Sequence, residues 1–202
     1  MTDVTSTARE ARTRHGTANQ ILDVAERLVQ TRGFNGFSYA DIASELGITK
    51  ASLHYHFRTK AELGRRLIER YSESFRAALQ EIEASEVPAP EQLATYVRLY
   101  ADVLKGQRMC LCGMLAAEHS TLPPAMQDEI RRFFDLNEAW LSGVLEQGRE
   151  AHTLGFEGAP QDLARLLLGA FEGVMLVARS YADLARFETS AKRLLSDLAA
   201  PP

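Results

Sequence analysis

The chain is poor in cysteine, tryptophan and proline, with 2, 1 and 7 of them in 202 residues. Two cysteines, Cys110 and Cys112, cannot form a disulfide-stapled scaffold, so stability must come from an apolar core. Long hydrophobic runs are also missing. The most apolar stretch, Leu166–Ala178, is 13 residues and contains Glu172, short of the roughly 20 that cross a bilayer. Residues 1–16 are polar, carry Arg9, Arg12 and Arg14, and lack the apolar centre of a secretory signal. A cytoplasmic location with no membrane partner is expected. A strong basic excess is absent too, since the net charge is −4. That argues against coating nucleic acid with the whole surface. Phosphate loops, nucleophile elbows, zinc spacings and paired Glu-x-x-His segments are all missing, so no catalytic residue, cofactor or metal is expected. The rival reading, an all-α enzyme or metal-carboxylate bundle without DNA binding, has no residues to stand on.

What the chain does have is helical periodicity nearly throughout. Ile21, Leu22, Ala25, Leu28 and Val29 mark one face of a first helix over about 17–32, with Gly33 as its stop. The row Leu63, Leu67, Tyr71, Phe75, Leu79 and Ile82 marks a long helix over 59–84, which SEVPAP then breaks. Further helices are expected over about 91–105, 109–119, from Pro123-Pro124 onward, 161–181 and 184–198. A loop is expected at 153–160. The fold class is all-α: an N-terminal three-helix domain at 17–63 behind a flexible basic arm at 1–16, and a larger helical body at 64–202. Charge is divided unevenly, with 11 Lys and Arg against 8 Asp and Glu in residues 1–70, and 12 against 19 beyond. A mildly basic head on an acidic body suits a local DNA contact.

The segment Ser38–Leu63 is the most specific. Ser38 with Asp41, and Thr59 with Glu62, have the spacing of capping boxes. Ile42, Ala43 and Leu46 share a face, and Gly47 can end that helix because it tolerates positive φ. Thr49 can cap a second short helix whose Leu53 and Phe57 point inward together. Two short helices around a glycine turn form the helix-turn-helix that places side chains in a major groove. Ala51 and Ser52 allow close approach, Lys50 offers a cation, and His54, Tyr55 and Lys60 can donate to phosphates.

With the turn Gly33-Phe34-Asn35-Gly36-Phe37-Ser38, and the run from Leu46-Gly47-Ile48-Thr49-Lys50 through Leu53, His56-Phe57 and Thr59-Lys60 to Leu63, residues 17–68 resemble the DNA-binding head of the TetR family of transcriptional regulators. The resemblance implies a homodimer that binds a double-stranded operator through its third helix. It also implies a body that takes up a small-molecule effector and lets go of DNA. Its DNA-facing positions fall on Thr49, Lys50, Ala51, Ser52 and His54, with Lys60 on a phosphate. Where the family carries Tyr after the leucine, this chain has His54 followed by Tyr55. The phosphate role passes to one of these, or His54 and His56 are surface and packing residues.

The body carries no comparably sharp motif. Tyr96, Tyr100, Cys110, Met114, Phe133, Phe134, Asn137, Phe171 and Met175 are candidates for an effector pocket, alongside Met109 and Trp140. Glu118, His119 or Asn137 would orient the ligand. The other reading of the same set is plain core. Cys110 has two readings as well. It is a small core residue, or, as in some relatives implied by the resemblance, a sensor of oxidants or electrophiles. The second requires a thiolate favoured by a helix N-terminus or by Arg108. For the dimer, Gly169 and Gly173 permit close helix approach, with Leu166, Ala170, Val174 and Val177 as apolar contacts. Burial of that face within one chain is the alternative.

Overall fold

The computed structural model describes the backbone of residues 4–198 and the side chains of residues 16–198. Its order is α1 (Val4–Arg32), α2 (Tyr39–Leu46), α3 (Lys50–His56), α4 (Lys60–Ala84), α5 (Ala89–Lys105), α6 (Leu111–Ala117), α7 (Pro124–Glu150), α8 (Pro160–Ser180) and α9 (Leu184–Ser196). No strand occurs among the described residues. The arm expected at 1–16 is corrected: from Val4 onward the backbone is already helical and continuous with α1. No proline interrupts residues 4–32, so the helix is free to extend through polar sequence whose lack of an apolar stripe hid it. Residues 1–3, and the side chains of Arg9, Arg12 and Arg14, lie outside what is described. The sixth helix is also shorter than expected, giving way to a 3₁₀ turn at His119–Thr121.

The head is α1–α3. Ile21, Ala25 and Leu28 of α1, Ile42 of α2 and Leu53 of α3 are buried in its centre. At about 25 cal/mol per Å² of apolar area, burial of these side chains offsets part of the entropy lost in ordering two short helices. α4 leaves the head and enters the body, burying Leu63, Leu67 and Ile68 and then Tyr71, Phe75, Leu79 and Ile82 on one stripe. Arg70 of α4 reaches back to Asp23 at 2.7 Å and Glu26 at 2.8 Å on α1.

In the body, α5 and α7 pack on α4, and α8 packs on α7, α9 and α5. Phe75 lies 5.2 Å from Phe133 and 6.0 Å from Tyr100, ring centre to ring centre, and Tyr96 stacks on Trp140 at 5.3 Å. The termini of α6 and α8 face the head. The Met109 amide donates to Gln30 O at 3.1 Å, and Arg179 Nη2 to Thr31 O at 2.7 Å. Glu118 accepts from the Phe34 amide at 2.7 Å and from the Asn35 amide at 3.3 Å. The end of α1 is thus held by the body through backbone groups.

Candidate functional site

The DNA-facing candidates are set by caps on short helices. Asp41 Oδ2 accepts from both the backbone amide and the hydroxyl of Ser38, each at 2.7 Å. These bonds hold the Asp41 carboxyl below its usual range, the side-chain bond contributing most. Gly47 ends α2 at φ 63°, ψ 29°, with its amide on Ala43 O. That left-handed conformation disfavours any residue with a Cβ. The chain then turns directly into α3, where Thr49 Oγ1 accepts from the Ser52 amide at 3.1 Å. At the far end Thr59 Oγ1 accepts from the Glu62 amide, and Glu62 Oε2 from the Arg58 amide, each at 3.1 Å. Leu53 and Phe57 turn inward.

Inward anchoring of α3 leaves its other side outward. Thr49, Lys50, Ala51, His54 and Tyr55 are exposed and Ser52 half-buried. Tyr55 keeps 64% of its surface in solvent, high for a tyrosine, with its ring edge-on to that of His56 at 5.3 Å. His54 sits against the Tyr39 ring at 4.9 Å and directs Nδ1 to Arg58 O at 3.1 Å. A carbonyl only accepts, so Nδ1 carries the hydrogen; a phosphate oxygen also only accepts, so Nε2 meets one only when both ring nitrogens carry hydrogen. Tyr39 donates to Phe57 O at 3.0 Å. Burial, with Glu62 nearby, pushes the Tyr39 phenol up to about 12.

Lys60 requires a correction. Expected on a phosphate, its ammonium instead donates to Phe34 O and Phe37 O and sits over both rings, 4.6 and 4.1 Å from their centres. Burial pushes its pKa down, with Glu118 and Asp41 opposing. Its long stem at the start of α4 reaches the Gly33–Ser38 turn more easily than open solvent, so Lys60 fastens that turn.

The pocket candidates come together around α4. Tyr96, Tyr100, Phe133, Phe171 and Met175 are buried within one cluster, with Asn137 buried beside Tyr96 and Phe134 and Met114 at its margin. Tyr96 donates to Asn137 Oδ1 at 2.9 Å, the two phenol oxygens of Tyr96 and Tyr100 are 3.1 Å apart, and Asn137 Nδ2 donates to Phe133 O at 2.8 Å. Glu118, expected to orient a ligand, is turned the other way, toward the head amides. Cys110 is buried, with Tyr71 Oη at 3.9 Å from its sulfur. The cation its sensor reading required is elsewhere, because Arg108 donates to Gln30 Oε1 at 3.3 Å. Burial first, and the Glu172 carboxylate next, push the Cys110 thiol well above its ordinary pKa, and the same two causes raise Cys112.

Glu172 is the functional-looking group that sequence reading passed over. Both of its oxygens are sealed from solvent, and no N–H or O–H of the described protein reaches either one. Burial pushes its carboxyl up to about 7, opposed by the hydrogen bond of the Cys110 thiol, the one donor among the described residues that bears on it. Trp140 Nε1 is likewise buried and unpaired. The signal for Glu172 was an acidic residue inside the most apolar run of the chain.

On α8 and at its C-cap, Leu166, Leu176, Val177 and Tyr181 expose 66, 57, 48 and 65% of their surface. Gly169 and Gly173 lie on the same open side, where an added Cβ would meet nothing within 4 Å. Ala170 and Val174 are half-buried beside them. The face expected at a dimer seam is therefore left uncovered by the chain's own helices.

Residues 21–67 match the family model described as bacterial regulatory proteins, tetR family. The HTH-type transcriptional repressor NemR of Escherichia coli strain K12 is 26% identical over 94% of this chain and 97% of its own. The HTH-type transcriptional repressor DhaR of Mycobacterium sp. strain GP1 is 26% identical over 78% of this chain and 81% of its own. The crystal structure of a TetR-family transcriptional regulator from Agrobacterium tumefaciens superposes with a TM-score of 0.90. It is 32% identical and spans 93% of this chain and all of that one. With its capped, outward-facing α3 and a relative of that likeness along nearly its whole length, the chain belongs to the TetR family of DNA-binding transcriptional regulators.

Proposed function

We propose that this protein is a homodimeric repressor that acts on cytoplasmic DNA and is released from its operator when the helical body takes up a small-molecule effector. The observation that carries the DNA half of this reading is the geometry of α3. Leu53 and Phe57 anchor it, while Thr49, Lys50, Ala51, Ser52, His54 and Tyr55 occupy the outward side. In a dimer two such helices would meet successive major grooves of a partly palindromic site. Thr49, Lys50, Ala51 and Ser52 would meet base edges, while His54 and Tyr55 would meet phosphates. The open apolar side of α8, at Leu166, Gly169, Ala170, Gly173, Val174 and Val177, supports a second copy as the partner there.

The effector half rests on the ring-lined centre of the body and its connection to the head. Tyr96, Tyr100, Phe133, Asn137, Phe171 and Met175 supply adaptable apolar surface with a few polar atoms. α6 and α8 grip residues 30–35 through backbone groups. An effector that favours a different placement of α6 would bias the two heads away from the operator spacing. A thiol-reactive effector would reach Cys110 only after the packing over its sulfur opened.

The test is selection of bound duplexes from a random pool, followed by titration of the selected site against random competitor. Selective binding is expected, with Lys50→Ala or Ser52→Ala relaxing the preference at individual base pairs by about 1–3 kcal/mol. Equal binding of selected and random DNA at low salt would overturn the reading.

A further inference from the structure

We infer that Glu172 is the recognition group for an organic cation, an apolar amine or quaternary ammonium held between its carboxylate and the tyrosine rings of α4 and α5. This inference rests on the body being the effector-binding part.

The geometry is specific. Glu172 leaves the middle of α8 toward α6, and Gly113 supplies the room. A Cβ built on Gly113 would lie 2.3 Å from Glu172 Oε2 and 3.5 Å from the Cβ of Cys110. Beyond Cys110 stands the Tyr71 hydroxyl of α4, 3.9 Å from the sulfur, and Tyr71 closes on Phe133 at 5.5 Å and Phe75 at 6.2 Å. The carboxylate's charge reaches the phenols of Tyr71, Tyr96 and Tyr100, each of which it helps to raise. Its ionisable surroundings are therefore two thiols and three phenols, with no base among the groups that influence it. Arg179, two turns along α8, is occupied by Thr31 O and lies 3.5 Å from Met114 Sδ.

A carboxylate with no donor but a weak thiol in an apolar interior is destabilising, and a bound cation would offset that cost. The chemistry of the surroundings narrows the class of cation. Among the described residues no group of three His, Cys, Asp or Glu could hold a metal ion, and the neighbouring oxygens are neutral phenols. Aromatic faces attract weakly hydrated organic cations, whose desolvation costs less than that of a small inorganic ion. Anions are repelled by the carboxylate.

Recognition at this point also explains how occupancy would be felt by DNA. Gly113 of α6 lies directly against the Glu172 carboxylate, so a ligand enters as that side of α6 moves off Glu172. The same short helix ends at Glu118, which holds the Phe34 and Asn35 amides. Binding and loss of the grip on the head become one event.

The experiment compares benzyltrimethylammonium with its neutral carbon isostere, neopentylbenzene, by calorimetric titration of the full-length dimer and of Glu172→Gln. Release of the selected operator is followed by fluorescence anisotropy. The wild-type protein is expected to bind the cation at least about tenfold more tightly than the isostere, and Glu172→Gln to reduce that ratio to below about twofold. Equal wild-type affinities overturn the inference, whatever the variant does; so does a preference that survives in Glu172→Gln, or no binding of the cation. If both compounds bind alike and both release the operator, the effector reading stands without the cation. If the cation is preferred through Glu172 but the operator stays bound, the cation site stands and the effector reading falls.

Discussion

Glu172→Gln removes a charge that the folded chain tolerates poorly, and the consequence for stability is directional. The carboxyl is raised from its ordinary 4.5 to about 7 by burial. Below pH 4.5 it is protonated whether the chain is folded or not, and burial carries no ionisation penalty. As pH rises toward 7 the unfolded chain ionises freely while the folded one resists, so stability falls, levelling off above about 7. At roughly 1.4 kcal/mol per pH unit, the gap between 4.5 and about 7 amounts to about 3 kcal/mol. The amide of Gln would be just as short of partners, but its cost does not vary with pH. The slope of the difference between the two proteins therefore carries the information, rather than its offset. Asp41, whose carboxyl is lowered by Ser38, acts in the opposite sense at acid pH and cancels because both proteins contain it. Urea unfolding of wild type and Glu172→Gln at equal protein concentration, at intervals from pH 4.5 to 8, should show the variant gaining about 3 kcal/mol relative to wild type across that range. A difference independent of pH would refute the assignment of a carboxylate held in a buried, apolar site.

Three further outcomes follow from the geometry. Lys60→Ala should destabilise the protein by about 2 kcal/mol, from the loss of charge-assisted bonds to Phe34 O and Phe37 O. It should leave the salt dependence of DNA binding unchanged, whereas a drop of about one in the logarithmic salt slope would restore the phosphate role. Gly47→Ala should cost about 1–2 kcal/mol, because the α2 terminus is left-handed at φ 63°; thermal unfolding with no loss of stability would contradict that. Val177→Arg, on the open side of α8, should shift the protein toward monomer in sedimentation velocity and weaken operator binding together; an unchanged dimer would move the seam elsewhere.

Much of the head was readable because its ends are marked by residues with a single good use. Ser38, Thr49 and Thr59 supply caps, Gly47 supplies a left-handed residue, and Leu53 and Phe57 fix which way α3 turns. The start of α1 was hidden, since its first turns lack an apolar stripe and only periodicity distinguishes a polar helix from an arm. Lys60 shows a second limit. Sequence placed it correctly at the first turn of α4 but gave no direction for its flexible stem, and two carbonyls and two rings in the head determine that direction. Glu118 was noticed for its charge and assigned to a ligand, because the approach of the Phe34 and Asn35 amides from more than 80 positions away leaves no local trace. In the body, aromatic content announced a packed centre, while Glu172 was recorded only as an interruption of an apolar run.

The grip of Glu118, Arg179 and Met109 on residues 30–35 bears on how regulators of this kind can be recombined. A chimaera that grafts residues 1–63 onto a foreign body would discard acceptors and donors lying some 80 to 150 positions downstream. The transplanted reading head would keep its fold but lose its rigid seating. Transferring the last turn of α6 together with the head is the graft design that this architecture favours.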